Sequence, residues 1–203
     1  MPRTYRMKAR AESVEETRRK VLESARQAIL DGPSPVITMG DVARRAGVAR
    51  STLYSTYGSL GGLVGAVMVD AQMRGGFDRV LALFNLADAA EAMRRALPEG
   101  ARMYATDYEL ARRVRVLARL EPTVMEGEVI GEEMRAGGMR YQAGRLAEQG
   151  KLRPGVTAEH AARLLWLLTD SETFAGLHTT WGMDADEIGE FIVEVASTSL
   201  LRD

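Results

Sequence analysis

The sequence predicts an all-α protein. Apolar residues recur at intervals of three and four along nearly the whole chain. No stretch keeps the strict alternation of a half-buried strand. Gly, Pro, Asp and Thr fall between the periodic segments, where helices start and stop. The 203 residues suffice for one sizeable core or two small ones. With 46% hydrophobic and 27% charged residues, the balance is that of a folded chain and not a disordered one. No internal repeat is visible.

The elements follow in order. Val14, Val21, Leu22, Ala25 and Ile29 share one helical face, and Asp31-Gly32-Pro33-Ser34-Pro35 breaks the chain after them. Thr38 to Tyr57 reads as two short helices around Ala46-Gly47-Val48. Leu60, Leu63, Val64, Val67, Met68 and Ala71 mark an amphipathic helix. Asp88 to about Tyr104 is helical, with Pro98 as a kink or a new start. Asp107 to Leu120 follows and closes at Glu121-Pro122. Thr123 to Glu148 is long, with Gly137-Gly138 as a weak point, and Gln149 to Val156 is a turn. Two helices finish the chain. Thr157 caps the first, which is apolar on nearly every face from Ala161 to Leu168 and ends at Trp181-Gly182. The last runs from about Asp184, with Ile188, Phe191, Ile192, Val195 and Ser199 on one stripe.

Several function classes are disfavoured. With no cysteine there is no disulfide frame, thiolate zinc site or cysteine nucleophile. The longest apolar run, Leu164 to Leu168, falls far short of the ~20 residues that cross a bilayer. No apolar signal core follows the basic N-terminus, so a cytoplasmic protein without a membrane partner is expected. His160 and His178 are too distant in sequence for a local metal motif, and Glu132-Glu133 point about 100° apart on a helix. No phosphate loop, dinucleotide fingerprint or nucleophile elbow is present, so neither an enzyme nor a cofactor is expected.

The net charge of −1 hides an asymmetry. Residues 1–60 carry eleven Lys and Arg against six Asp and Glu, which suits a polyanionic partner for that part alone. The informative stretch is Thr38 to Tyr57. Thr38 followed by Asp41 starts a helix whose inner face is Val42 and Ala43. Gly47 supplies a positive φ, and Val48 fills the space between crossing helices. In the second helix Leu53 and Tyr57 face inward, which leaves Arg50, Ser51, Thr52, Ser55 and Thr56 outward. Short hydroxyls and an arginine on such a helix suit the major groove, and Tyr54 suits a phosphate oxygen at its edge. A plain helical hairpin with a solvated polar face is the alternative reading of the same pattern.

These residues resemble the TetR family of transcriptional regulators. Thr17 to Leu22 is similar to the family's first helix. Thr38 to Ala43, Ala46-Gly47-Val48 and Thr52-Leu53-Tyr54 are similar to its second and third, and Tyr57-Gly58-Ser59 with Leu63 to the entry of its fourth. The resemblance covers residues 13–68, and is weaker at Leu165 to Thr169, Trp181 to Met183 and Ile188 to Leu201. It implies a DNA-binding domain over 1–58 and a regulatory domain for ligand binding and dimerisation over 59–203. It implies a repressor that binds a double-stranded inverted-repeat operator as a homodimer and is released by a small-molecule effector. A helix-turn-helix adaptor without an effector is the alternative.

Carried onto this chain, the resemblance makes Thr38, Tyr54 and Tyr57 candidate phosphate contacts, Tyr57 mainly as a core residue. It makes Arg50, Ser51, Thr52, Ser55 and Thr56 candidate contacts of the recognition helix. Ala49 stands where a capping serine is frequent, and Ser59-Leu60-Gly61-Gly62 lacks a frequent lysine. Arg3, Arg6, Lys8 and Arg10 form an arm that either tracks the DNA backbone or is a solvated tail. Met103, Tyr108, Met125, Met134, Trp166, Phe174 and His178 are candidates for the ligand cavity, which implies an apolar or aromatic effector. The alternative for each is ordinary core. Leu165, Leu168, Ile188, Phe191, Ile192 and Val195 are candidates for a four-helix dimer interface.

Overall fold

The computed structural model describes residues 3–31 and 36–202, with side chains from residue 12 onward. The break at residues 32–35 and the side chains of Arg3, Arg6, Lys8 and Arg10 lie outside the described residues. The described residues form eleven helices, and an isolated antiparallel bridge between Leu152 and Leu201 is their one element of strand pairing. None of these helices is long and apolar enough to cross a membrane. The chain divides into two compact units, residues 1–70 with 109–129, and residues 71–108 with 130–203. A later segment, residues 109–129, thus folds with the N-terminal helices.

The first unit holds α1 (Arg3–Asp31), α2 (Met39–Ala46), α3 (Arg50–Tyr57) and the first part of α4 (Leu60–Gly75). Most of α7 (Tyr108–Ala118) and the start of α8 (Pro122–Glu148) complete it. Val21, Leu22, Ala25 and Ile29 of α1 are buried, as their spacing predicts. Val14 is not, at 63% exposure, so the buried stripe of α1 begins at Val21. Two polar ties hold α1's end. Arg45 pairs with Asp31 at 2.9 Å, and the Arg113 guanidinium of α7 donates to the Ile29 carbonyl at 3.1 Å. α4 is held by a backbone approach. The Gly61 amide donates to Thr123 Oγ1 at 3.1 Å, and a Cβ on Gly61 would lie 2.0 Å from the Thr123 carbonyl oxygen. Any side chain at this position would force the two segments apart.

The second unit holds α5 (Phe77–Phe84), α6 (Ala89–Thr106), α9 (Ala158–Leu168), α10 (Ser171–Trp181), α11 (Ala185–Leu200) and the remainder of α8. α6 is its centre, packing on α5 and α11. Its buried face is mostly small, Ala89, Ala90, Ala92, Ala96 and Ala101 around Met93 and Leu97, so neighbouring helices come close. Pro98 lies inside α6 without ending it, and Gly189 of α11 sits against it. A Cβ on Gly189 would stand 2.8 Å from Pro98 Cα. The α5–α6 connection is held from α8, where Arg145 donates to the Phe84, Leu86 and Ala87 carbonyls and buried Gln142 donates to Ala89 O at 2.7 Å. The chain from 72 to 87, which the periodicity left unassigned, thus contains a separate short helix. α8 runs unbroken through Gly137-Gly138.

Three helices, not two, finish the chain. The segment from Thr157 breaks at Thr169-Asp170, where the Asp170 side chain accepts from the Glu172 amide and starts α10. Arg135 of α8 secures the break by donating to Trp166 O at 2.6 Å and Thr169 Oγ1 at 3.2 Å. α9 is not buried all round either. Trp166 is 39% and Leu167 55% exposed, since the core takes only the face of Ala161, Ala162, Leu165 and Leu168.

Two predictions follow from this packing. Gly189→Val places a branched side chain against the Pro98 backbone and is expected to cost about 1–3 kcal/mol in urea unfolding. Asp88 caps α6 and pairs with Lys151, and its carboxyl is drawn down to about 2, chiefly by the Lys151 ammonium. A depressed carboxylate stabilises the fold above its unfolded value, and that contribution is lost as pH falls through its folded value. Asp88→Ala is therefore expected to lower Tm at neutral pH, and the deficit to narrow between about pH 4 and about pH 2 in thermal melts.

Candidate nucleic-acid interface

The motif is built from its caps inward. Thr38 stands extended, with φ −125° and ψ 157°, and its Oγ1 accepts from the Asp41 amide at 3.1 Å. The same hydroxyl donates to Asp41 Oδ2 at 2.7 Å. Thr38 first, and the Arg44 guanidinium second, hold the Asp41 carboxyl below its ordinary range, so α2 begins on a fixed anion. α2 ends at Gly47 with φ 68°, where the amides of Gly47 and Val48 both return to the Ala43 carbonyl. This left-handed residue turns the chain within two residues of the next helix. Ala49 then opens α3 without a side-chain cap.

Leu53 is the buried residue of α3, at 1% exposure. Burying it leaves Arg50, Ser51, Thr52, Ser55 and Thr56 exposed and Tyr54 43% exposed. Ser55 Oγ and Thr56 Oγ1 donate to the Thr52 carbonyl, at 3.0 and 2.8 Å. Their hydrogens are engaged by the helix, which leaves oxygen lone pairs to receive a donor such as a base amino group. Arg50 Nη2 donates to Tyr54 Oη at 3.2 Å, with the guanidinium carbon 5.4 Å from the ring centroid. Tyr54 Oη thereby acts as an acceptor, and its own hydrogen remains for an outside oxygen.

Tyr57 differs from its neighbours. It is half-buried, and its hydroxyl is enclosed with no hydrogen-bond partner among the described residues. Burial raises its pKa, the nearby Arg18 opposing. Its oxygen faces inward, as the four-residue spacing from Leu53 places it. Gly58, at φ 74°, ends α3, and Ser59 Oγ caps the Gly62 amide at 3.1 Å.

The regulatory candidates separate. Tyr108, Phe174 and His178 come together in the second unit, joined by Tyr104, which the sequence reading missed. Ring centroids lie 5.3 to 6.2 Å apart, and His178 Nδ1 stands 2.9 Å from the Met183 carbonyl. Tyr104 and Phe174 are seventy residues apart in the chain, so no local spacing signals the pair. Met103, beside Tyr104, is half-buried, and its backbone meets Gly75. Met125 and Met134 are 42% and 68% exposed and belong to different units. Trp166 lies under the Arg135 guanidinium, at 4.8 Å from the ring centroid. A surface hollow of about 590 Å³ in the second unit is lined by Asp88, Ala90, Glu91, Arg94, Lys151, Leu201 and Arg202, and by none of these candidates.

Of the interface candidates, Leu165, Leu168, Ile188 and Ile192 are 0–8% exposed and sit in the second unit's own core, in one cluster with Met93 and Leu97. Val195 is half-buried, and Phe191 is 43% exposed.

No protein-family model matches the sequence, and no curated protein matches it. Solved structures do. NalD of Pseudomonas aeruginosa, the secondary repressor of the MexAB-OprM multidrug efflux pump, aligns with a TM-score of 0.73 at 20% identity, over 93% of this chain and 98% of its own. SmeT, solved as a complex with triclosan, aligns at 0.73 and 16% identity over 93% of each chain. A TetR family transcription regulator of Marinobacter aquaeolei aligns at 0.65 and 17% identity, over 95% of this chain and all of its own. The helix order, the turn at Gly47 and these alignments agree: the chain has the all-α fold of the TetR-family regulators.

Proposed function

We propose that this protein is a TetR-type transcriptional regulator, a repressor that binds an inverted-repeat operator as a homodimer and leaves it when a small molecule binds. One observation carries the reading. α3 buries Leu53 and turns an arginine, a tyrosine and four short hydroxyl side chains outward, within a helix-turn-helix on the fold of known repressors. Dimerisation has a geometric ground, since two recognition helices reach successive major grooves only about 34–36 Å apart. Exposed Trp166, Leu167 and Phe191 supply the apolar surface for it in the second unit. The aromatic group of Tyr104, Tyr108, Phe174 and His178 favours an apolar or aromatic effector, and triclosan, the ligand in the SmeT complex, is of that kind. The protein acts in the cytoplasm and without catalysis on this reading.

Purified protein incubated with a randomised duplex library is expected to enrich an inverted repeat, with affinity falling as salt rises because phosphate contacts release counterions. Arg50→Ala and Tyr54→Phe are expected to weaken binding in gel shifts while the dimer persists in light scattering. Tyr57→Phe, which removes an enclosed and unpartnered hydroxyl, is expected to leave affinity within about twofold and Tm undiminished. Recovery of no sequence from the library would end the reading. The effector reading is checked by titrating the protein–operator complex with hydrophobic aromatic compounds. Release at concentrations that leave Phe174→Ala bound is expected, and ligand binding with unchanged operator affinity would refute the switch.

A further inference from the structure

The motif from Thr38 to Gly58 holds three arginines, and two of them are spent. Arg44 pairs with Asp41, and Arg45 pairs with Asp31 at 2.9 Å. Arg50 has no carboxylate partner among the described residues. It donates instead to a neutral oxygen, Tyr54 Oη, at 3.2 Å, and its guanidinium lies over the flank of the same ring. A hydroxyl leaves the positive charge whole where a carboxylate would cancel it. The contact also restrains a long side chain along the axis of α3, which lowers the ordering cost on binding.

We infer that Arg50 is the sequence-reading residue of this protein, donating its guanidinium fork to O6 and N7 of one guanine in each half-site, and that Tyr54 positions it. The inference rests on the reading of α3 as a recognition helix. Three further points support it. Arg50 is the first residue of α3, and the N-terminal residues of a recognition helix meet base edges. Its exposed neighbours Ser51 and Thr52 are short, so no bulk holds the start of the helix away from the groove floor. Arginine has five N–H donors in a plane; Tyr54 takes one, and a parallel pair remains for the two adjacent acceptors that guanine alone presents in the major groove. Tyr54 keeps its own hydrogen for a phosphate oxygen, so its grip on the DNA backbone sets where Arg50 points. Ser55 and Thr56, with hydrogens turned to the Thr52 carbonyl, are acceptors and do not compete for O6 or N7.

The test uses the full-length protein and the duplex it selects from a randomised library. Each base pair of that duplex is replaced in turn, and affinity is measured at several salt concentrations for wild type, Arg50→Ala, Arg50→Lys and Tyr54→Phe. Wild type is expected to lose about 5- to 150-fold when one particular guanine per half-site is replaced. Arg50→Ala is expected to accept all base pairs at that position and to keep its preferences elsewhere. Arg50→Lys, with the charge but not the fork, regains overall affinity and only part of the discrimination. Tyr54→Phe loses discrimination at the same position, which a general loss of backbone contact would not produce. Thermal melts and dimer mass confirm that each variant folds. If Arg50→Ala instead weakens every sequence equally and flattens the salt dependence, Arg50 is a phosphate contact and the inference is overturned. If the wild-type protein selects no sequence, the recognition-helix reading itself falls, an outcome separate from the first.

Discussion

The burial of Leu53 is the constraint on which the outward polar face of α3 depends. α3 spans eight residues, too few to be stable alone, so its orientation comes from what it packs against. One fully covered leucine, with Tyr57 four residues on, fixes the rotation of the helix about its axis. Every outward side chain follows from that rotation. The turn at Gly47 makes the packing reachable, because a left-handed residue there closes α2 with two amides on one carbonyl and delivers the chain to α3 after Val48 and Ala49. Thr38 and Asp41 fix the other end of α2. The polar face of α3 is thus the remainder left by a small apolar contact and two caps.

Close backbone approach is the second theme. Gly61 meets Thr123 and Gly62 meets the Tyr57 carbonyl, each so closely that a Cβ would stand 2.0 Å from an oxygen. In the resembled family this stretch often carries a lysine. Here the positions serve contact between main chains, and the first turn of α4 donates a hydrogen bond to a residue sixty-two positions along the chain. The absent lysine therefore has a structural counterpart, a tighter seat for the helix that follows the motif. Gly189 repeats the principle in the second unit, where it lets α11 lie against Pro98. A proline in mid-helix has no amide to donate, and a flat glycine surface opposite it keeps the packing dense.

Charge is distributed by the same economy. Arg44, Arg45, Arg113, Arg135 and Arg145 are each committed to a carboxylate or to carbonyls that helix ends leave open. A count of basic residues in the N-terminal third overstates what a polyanion would meet. What distinguishes Arg50 is its partner, a tyrosine hydroxyl one helical turn away.

The sequence alone determined the fold class, the caps at Thr38 and Thr157, the helix starts near Asp88 and Asp184, the turn at Gly47 and the polar face of α3, because all depend on residues within one or two helical turns of each other. Periodicity does not report which of two apolar faces is covered by the same chain. Leu165 and Ile188 were legible as buried, but their cover is the second unit's own core, and it is Trp166, Leu167 and Phe191 that meet solvent. The break at Thr169-Asp170 falls in a polar stretch, Thr169 to Thr173, with no glycine or proline to mark it, and it is held by an arginine from α8. Spacing from Leu53 places Tyr57 inward, but only packing shows its hydroxyl enclosed while that of Tyr54 faces out with Arg50 beside it. Such distinctions rest on contacts between residues tens of positions apart, and only the tertiary structure decides them.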